Sequence, residues 1–163
     1  MRKQIRIFVS YAHKNSLSAK TFIEALKEYS GPSKNFEYVF WQDLDLLPGE
    51  KWEKRISEEL QKCDCGILLI SASFLNSKYI TEKEWPMLIA DKKPVFPVML
   101  SKINFEHHDL HGLQEVQIFR LSDPAFSALR SYEEVKGKRK AEFIDKLFAQ
   151  MEDRLIAVFG DKK

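Results

Sequence analysis

Two cysteines, six glycines and no long apolar run mark this 163-residue sequence by what it does without. Cys63 and Cys65 form a C-x-C pair with nothing nearby to complete a tetrahedral zinc site, so they read as ordinary thiols. A chain of this length buries about two-thirds of its unfolded surface, which gives a core without disulfide or metal staples. With 44% hydrophobic and 31% charged residues it fits one folded domain over 1–163 and not a disordered chain. The six glycines are spaced neither as G-x-G-x-x-G nor as a P-loop, which removes the usual phosphate-cradling turns. G-x-S-x-G is missing as well, and with it an α/β-hydrolase serine. The longest apolar runs, Gly66 to Ile70 and Val95 to Leu100, fall far short of the ~20 residues of a bilayer span, and no membrane association is expected. Behind Arg2 and Lys3, Arg6 interrupts the apolar stretch and no small-residue cleavage site follows, so the cytosol is the expected location. Charge of one sign is also lacking. Lys and Arg number 26 against 24 Asp and Glu, and a net +2 does not point to nucleic acid. The basic run Lys136 to Lys140 reads as a solvated helix start.

What the sequence does have is a rhythm. Five β-rich segments alternate with helix-patterned ones: Ile5 to Val9, Phe36 to Trp41, Gly66 to Ile70, Val95 to Leu100 and Val116 to Leu121. Ala19, Phe22, Ile23, Leu26 and Tyr29 share one helical face, closed by Gly31 and Pro32. A second helix runs from about Trp52 to Gln61, with Trp52, Ile56 and Leu60 on one side, and a third pattern covers Met87 to Ala90. Phe143, Leu147, Phe148, Met151, Leu155 and Phe159 make the last helix amphipathic. The unbroken apolar run Gly66 to Ile70 is that of a strand covered on both faces of a parallel sheet. Pro97 suggests an edge or strand-start position for its strand.

Alternating strands and helices predict an α/β fold, a flavodoxin-like doubly wound five-stranded parallel sheet of order 2-1-3-4-5 with helices on both faces. In that topology ligands bind beyond the carboxyl ends of strands one and three, where the winding reverses. Those ends are Ser10-Tyr11-Ala12-His13 and Ser71-Ala72-Ser73, with 74–84 hanging over the same edge. A receiver would carry a phosphoacceptor aspartate where this chain has Ser71. His107 and His111 have the spacing of a metal pair, but with His108 they read as polar surface because no third ligand is apparent; no metal and no cofactor are expected. Glu82 and Glu84 both follow strand three, and a partly desolvated glutamate there could stabilise positive charge developing at a sugar C1. Two local readings compete for Glu84. Thr81-x-x-Glu84 is a capping box, whereas Pro86 at a first helical position would leave Glu84 just outside the helix.

Three ordered segments carry a family likeness. Ile5 to Asn15 (IRIFVSYAHKN) resembles the first box of a Toll/interleukin receptor/resistance (TIR) domain of bacterial type. Val39 to Asp43 (VFWQD) followed by Leu47 to Trp52 (LPGEKW) resembles the second box, the loop after strand two. Ile67 to Ser77 (ILLISASFLNS), then Tyr79 and Glu84, is similar to the third-strand region of bacterial and plant members.

The resemblance implies an NAD+ glycohydrolase, active when self-associated and serving bacterial immune defence, that releases nicotinamide and gives ADP-ribose or a cyclic form. It maps the family's essential glutamate onto Glu84. Tyr11, Ala12 and His13 would line the pocket floor, Trp41 and Asp43 one wall, and Ser71 and Tyr79 the side near the glutamate. NAD+ is then a substrate, and other TIR domains, including copies of this chain, are the implied partners. Many catalytic members carry W-x-x-x-E; here Ile80 is four residues before Glu84, and the nearest preceding aromatic, Tyr79, is five before. On one α-helix that shift rotates the aromatic by about 100°, whereas an irregular loop would absorb it. Glu82 is the reserve carboxylate. A second reading is a non-catalytic module that docks through the loop from Asp43 to Glu50, its self-association residues being Leu46, Leu47, Pro48 and Gly49, of which Leu46, Leu47 and Pro48 would expose apolar surface.

Overall fold

Four strands run parallel in the order β2-β1-β3-β4 in a computed structural model that describes residues 2–42 and 52–160. They are β1 (Lys3–Ser10), β2 (Phe36–Trp41), β3 (Cys65–Ile70) and β4 (Val95–Met99). β1 pairs with β2 on one side and with β3 on the other, so the winding direction reverses between β1 and β3. Helix α1 (Ser16–Ser30) and the 22-residue α5 (Lys138–Phe159) therefore cover one face, and α2 (Trp52–Lys62) and α4 (Trp85–Ala90) the other. The short α3 (Ala72–Leu75) follows β3 directly. This is the expected α/β architecture with helices on both faces of a parallel sheet.

The period of two along the strands sorts the core into two layers. Ile5, Ile7 and Val9 of β1 and Cys65, Ile67 and Leu69 of β3 meet Phe22, Leu26, Phe143 and Leu147 from α1 and α5. Phe8, Leu68 and Ile70 face the other way, onto Ile56, Leu60 and Leu88 of α2 and α4. Every residue of β3 is buried, the state its unbroken apolar run predicts. On the second face α4 comes close to the sheet: a Cβ built on Gly66 would lie 2.8 Å from Leu88 Cδ1. At the sheet's outer corner the Arg2 guanidinium donates to the carbonyls of Gly31 (3.2 Å) and Ser33 (2.6 Å), tying the start of β1 to the link between α1 and β2.

The expected fifth strand, Val116 to Leu121, is reduced to isolated bridges. Phe119 pairs with Val98 as a parallel strand would, its N–H bonding Pro97 O at 2.8 Å and its O accepting from Met99 N at 3.0 Å. The ladder stops there in both directions. Toward residue 117 the next donor on β4 would be the nitrogen of Pro97, which carries no hydrogen. Toward Leu121 the Met99 carbonyl already accepts from Tyr132 N at 2.9 Å, and Leu121 pairs antiparallel with Arg130 instead. β4 is thus the outer strand of the sheet among the described residues, with the donor-less side of Pro97 turned away from β3.

Phe143 is the hub of the α1–α5 layer. Its ring is fully buried and meets Phe119 at 4.9 Å, Tyr132 at 5.3 Å and Phe22 at 6.5 Å between centroids, all near edge-to-face. Phe143→Ala is expected to lower stability by about 3–5 kcal/mol, read as a fall in the urea midpoint with an unchanged slope.

Candidate active site

The winding reversal places a cleft of about 610 Å³ at the carboxyl ends of β1 and β3. Its floor is the buried Tyr11 and Ala12, which leave β1, and the exposed His13 follows at the rim, where the 3-10 turn His13–Asn15 leads into α1. Lys14 stands at the rim, and Ser73, Asn76 and Ser77 arrive from α3 and the turn behind it. Trp52 and Ile56 come from the start of α2. Tyr79, Ile80 and Glu84 complete the wall.

Glu84 owes its place to a helix that changes pitch. Residues 78–79 are α-helical, Ile80–Glu84 form a π-turn, and α4 continues from Trp85 without a break. The Trp85 N–H bonds the Ile80 carbonyl, five residues back. Pro86 gives the reason for the widening: in a regular α-helix its ring would clash with the carbonyl of Glu82 and it has no N–H to offer. Glu84 is therefore inside a helical run, with φ −66° and ψ −52°, and neither outside the helix nor part of a capping box. The Thr81 hydroxyl donates back to Ser77 O at 2.9 Å, and Ser77 Oγ accepts from the Ile80 N–H at 3.3 Å. A turn closed over five residues instead of four takes up one extra residue. Tyr79 and Glu84, five apart, accordingly line the same cleft.

Glu84 is 7% exposed. The hydroxyl of Ser10, the last residue of β1, donates to its Oε2. Tyr79 meets the indole of Trp52 edge-on, ring centroids 4.8 Å apart. Burial pushes the Tyr79 hydroxyl up to about 12, with the negative charges of Glu84 and Glu53 adding to the rise. The phenol is therefore a neutral donor at physiological pH. Glu82 points elsewhere. It is exposed and borders a separate hollow with Lys78, His108 and His111.

The remaining expected residues divide. Trp41 is not among the cleft's lining residues; it stacks on Phe8 with centroids 5.2 Å apart and a 24° interplanar angle. Ser71 caps α3, accepting from Phe74 N at 3.0 Å and donating to Asn15 Oδ1 at 2.7 Å, so it braces the cleft from behind. Asp43, Leu46, Leu47, Pro48 and Gly49 lie outside the described residues. Trp52, read in the sequence as the first apolar position of α2, is half exposed and faces the cleft, while Ile56 and Leu60 below it are buried. Its signal was its place: a tryptophan opening a helix just beyond the end of strand two. His108 serves its own loop, its Nδ1 accepting from Asn104 N at 3.0 Å, whereas His111 Nε2 lies 2.9 Å from the carbonyl of Leu75 at the end of α3. Burial holds both thiols above their ordinary value, Cys63 at about 11. A larger groove of about 950 Å³ runs between α1 and α5, but its buried carboxylate, Glu152, accepts from Ser33 Oγ and from Asn35 Nδ2 at 3.0 Å and joins α5 to the entry of β2.

Comparison with known proteins bears on the family. A protein of Brachypodium distachyon named probable 2′ cyclic ADP-D-ribose synthase is 27% identical over 59 residues, a stretch covering 36% of this chain and 26% of that protein. The chain thus spans about a quarter of the length of that curated relative. The TIR domain family model matches residues 7–134, from the middle of β1 past the whole sheet and every residue that lines the cleft. The chain belongs to the TIR domain family.

Proposed function

We propose that this TIR domain cleaves NAD+ between nicotinamide and ribose, with Glu84 as the catalytic carboxylate. The observation that carries the reading is a nearly buried carboxylate, held at the winding reversal of a TIR fold and facing a cleft walled by Trp52, Tyr79 and Tyr11. The printed name of the relative concerns synthesis of a cyclic ADP-ribose, a product that requires loss of nicotinamide.

In this reading the chemistry needs little acid catalysis. The nicotinamide of NAD+ is already cationic, so heterolysis of its bond to the ribose carbon expels a neutral base and leaves positive charge on the sugar. A fixed carboxylate beside that carbon stabilises the charge most when it is fully developed, which is the transition state. Water then attacks the carbon and loses a proton to give ADP-ribose; attack from within the same molecule gives a cyclic product. Trp52 and Tyr79 offer aromatic surface to a planar ring, and Lys14 and His13 at the rim suit the negative diphosphate. Assembly with other TIR domains, a homo-oligomeric active form and a place in immune defence belong to the same proposal.

Wild-type protein at high concentration is expected to release nicotinamide from NAD+, resolved by chromatography. Glu84→Gln is expected to lose at least ~100-fold in rate while remaining folded, and Glu82→Gln to keep the wild-type rate. Absence of turnover in concentrated wild type, or loss in Glu82→Gln alone, defeats the reading. Trp52→Ala removes one aromatic wall and is expected to raise KM about three- to tenfold, the worth of a stacking contact. The Tyr79 phenol supplies a separate check. A neighbouring carboxylate disfavours phenolate, so Glu84→Gln is expected to let Tyr79 ionise at a lower pH than in the wild type, visible as tyrosinate absorbance that vanishes in a Tyr79→Phe background.

A further inference from the structure

One polar side chain in the core layer beneath the cleft has no place in the chemistry above. Ser10 is 2% exposed and ends a strand whose other inward positions are apolar. Its backbone pairs in register with Leu68 of β3. By the alternation of the strand it shares the side of Phe8, the face covered by α2 and α4. A buried hydroxyl left without a partner costs about 1–3 kcal/mol; the partner here is Glu84 Oε2. The two residues are 74 apart in sequence and come together only because the π-turn rides on α4, which seats Leu88 against Gly66.

We propose that Ser10 is a positioning residue, its hydroxyl fixing the orientation of the Glu84 carboxylate from the end of the central strand. The inference rests on the reading of Glu84 as the catalytic carboxylate. Ser10 is not among the residues that line the cleft, so it acts through Glu84 and does not touch substrate. A hydroxyl-to-carboxylate bond is charge-assisted and directional. It holds one carboxylate oxygen against a strand that is itself clamped on both edges, so the carboxylate enters the reaction already aimed. Without that bond the side chain keeps its burial but loses one of the contacts that set its direction. Substrate contacts from Tyr11, Trp52 and Tyr79 are untouched, so the loss falls on kcat and leaves KM in place.

The test compares NAD+ turnover by wild type, Ser10→Ala, Ser10→Thr, Glu84→Gln and the Ser10→Ala/Glu84→Gln double variant, each shown to be folded by circular dichroism. Ser10→Ala is expected to lower kcat ~30- to 100-fold, the scale of a misplaced catalytic group, with KM within about threefold. Ser10→Thr keeps the hydroxyl and is expected to recover most of the loss. In the Glu84→Gln background Ser10→Ala is expected to change the residual rate by less than about twofold, since two groups acting as one unit are not additive. A kcat within twofold of wild type in Ser10→Ala overturns the proposal, as does a further tenfold drop in the double variant. If wild type leaves NAD+ intact, the catalytic reading fails and the tie is judged by crystal structures. Displacement of the Glu84 carboxylate from its wild-type rotamer in Ser10→Ala then supports the tie, and an unmoved carboxylate overturns it.

Discussion

The burial of β3 on both faces is the constraint from which the rest of the domain follows. Six consecutive residues, Cys65–Ile70, show no exposed side chain, and a strand in that state needs a strand on each edge and a helix layer on each face. β1 and β4 supply the edges, α1 with α5 one layer and α2 with α4 the other. To cover both faces of β3 the chain must reverse its winding beside it, and that reversal leaves the ends of β1 and β3 without a crossover between them. The cleft is the result. Its position follows from packing, and only its chemistry depends on the residues placed there.

Much of this was legible in the sequence because it rests on periodicity. The unbroken run of β3, the alternation of β1 and the helical spacing of Phe143, Leu147, Met151 and Leu155 each state their own environment. Tyr11, Ala12 and His13 could be named for the cleft because topology places strand ends, and strand ends can be read; Tyr79 and the choice of Glu84 over Glu82 came from the family resemblance, and both line the same cleft. The fifth strand failed for a reason periodicity does not carry. Val116 to Leu121 has a strand's composition, but its ladder depends on whether Pro97 can donate and whether Met99 O is already taken by Tyr132, and both facts belong to other segments. The two tryptophans show the same limit. Trp41 and Trp52, close in sequence and alike in chemistry, part ways, one stacking on Phe8 and the other opening onto the cleft, a choice made by tertiary placement.

The electrostatics of the site are arranged with similar economy. The carboxylate sits where a hydroxyl from the strand below and a phenol from its own helix both come within its influence, and the phenol stays protonated because the charge beside it and the apolar surroundings both oppose its ionisation. A carboxylate surrounded by neutral donors is a fixed negative charge on the wall from which it projects. Such an arrangement favours a substrate that becomes more positive as it reacts.

The π-turn at Ile80–Glu84 reaches beyond this chain. A motif written as an aromatic, three residues and a glutamate assumes a uniform helix, because only then does counting residues measure position. Here one more residue separates the two side chains, and the wider turn returns them to the same wall. Two sequences can therefore differ by an insertion at the heart of a motif and still present the same surface, provided the hydrogen-bond register changes with it. The quantity held constant is an angle about the helix axis and not a number of residues. A proline shortly after the glutamate is one visible sign in a sequence that such a trade has been made.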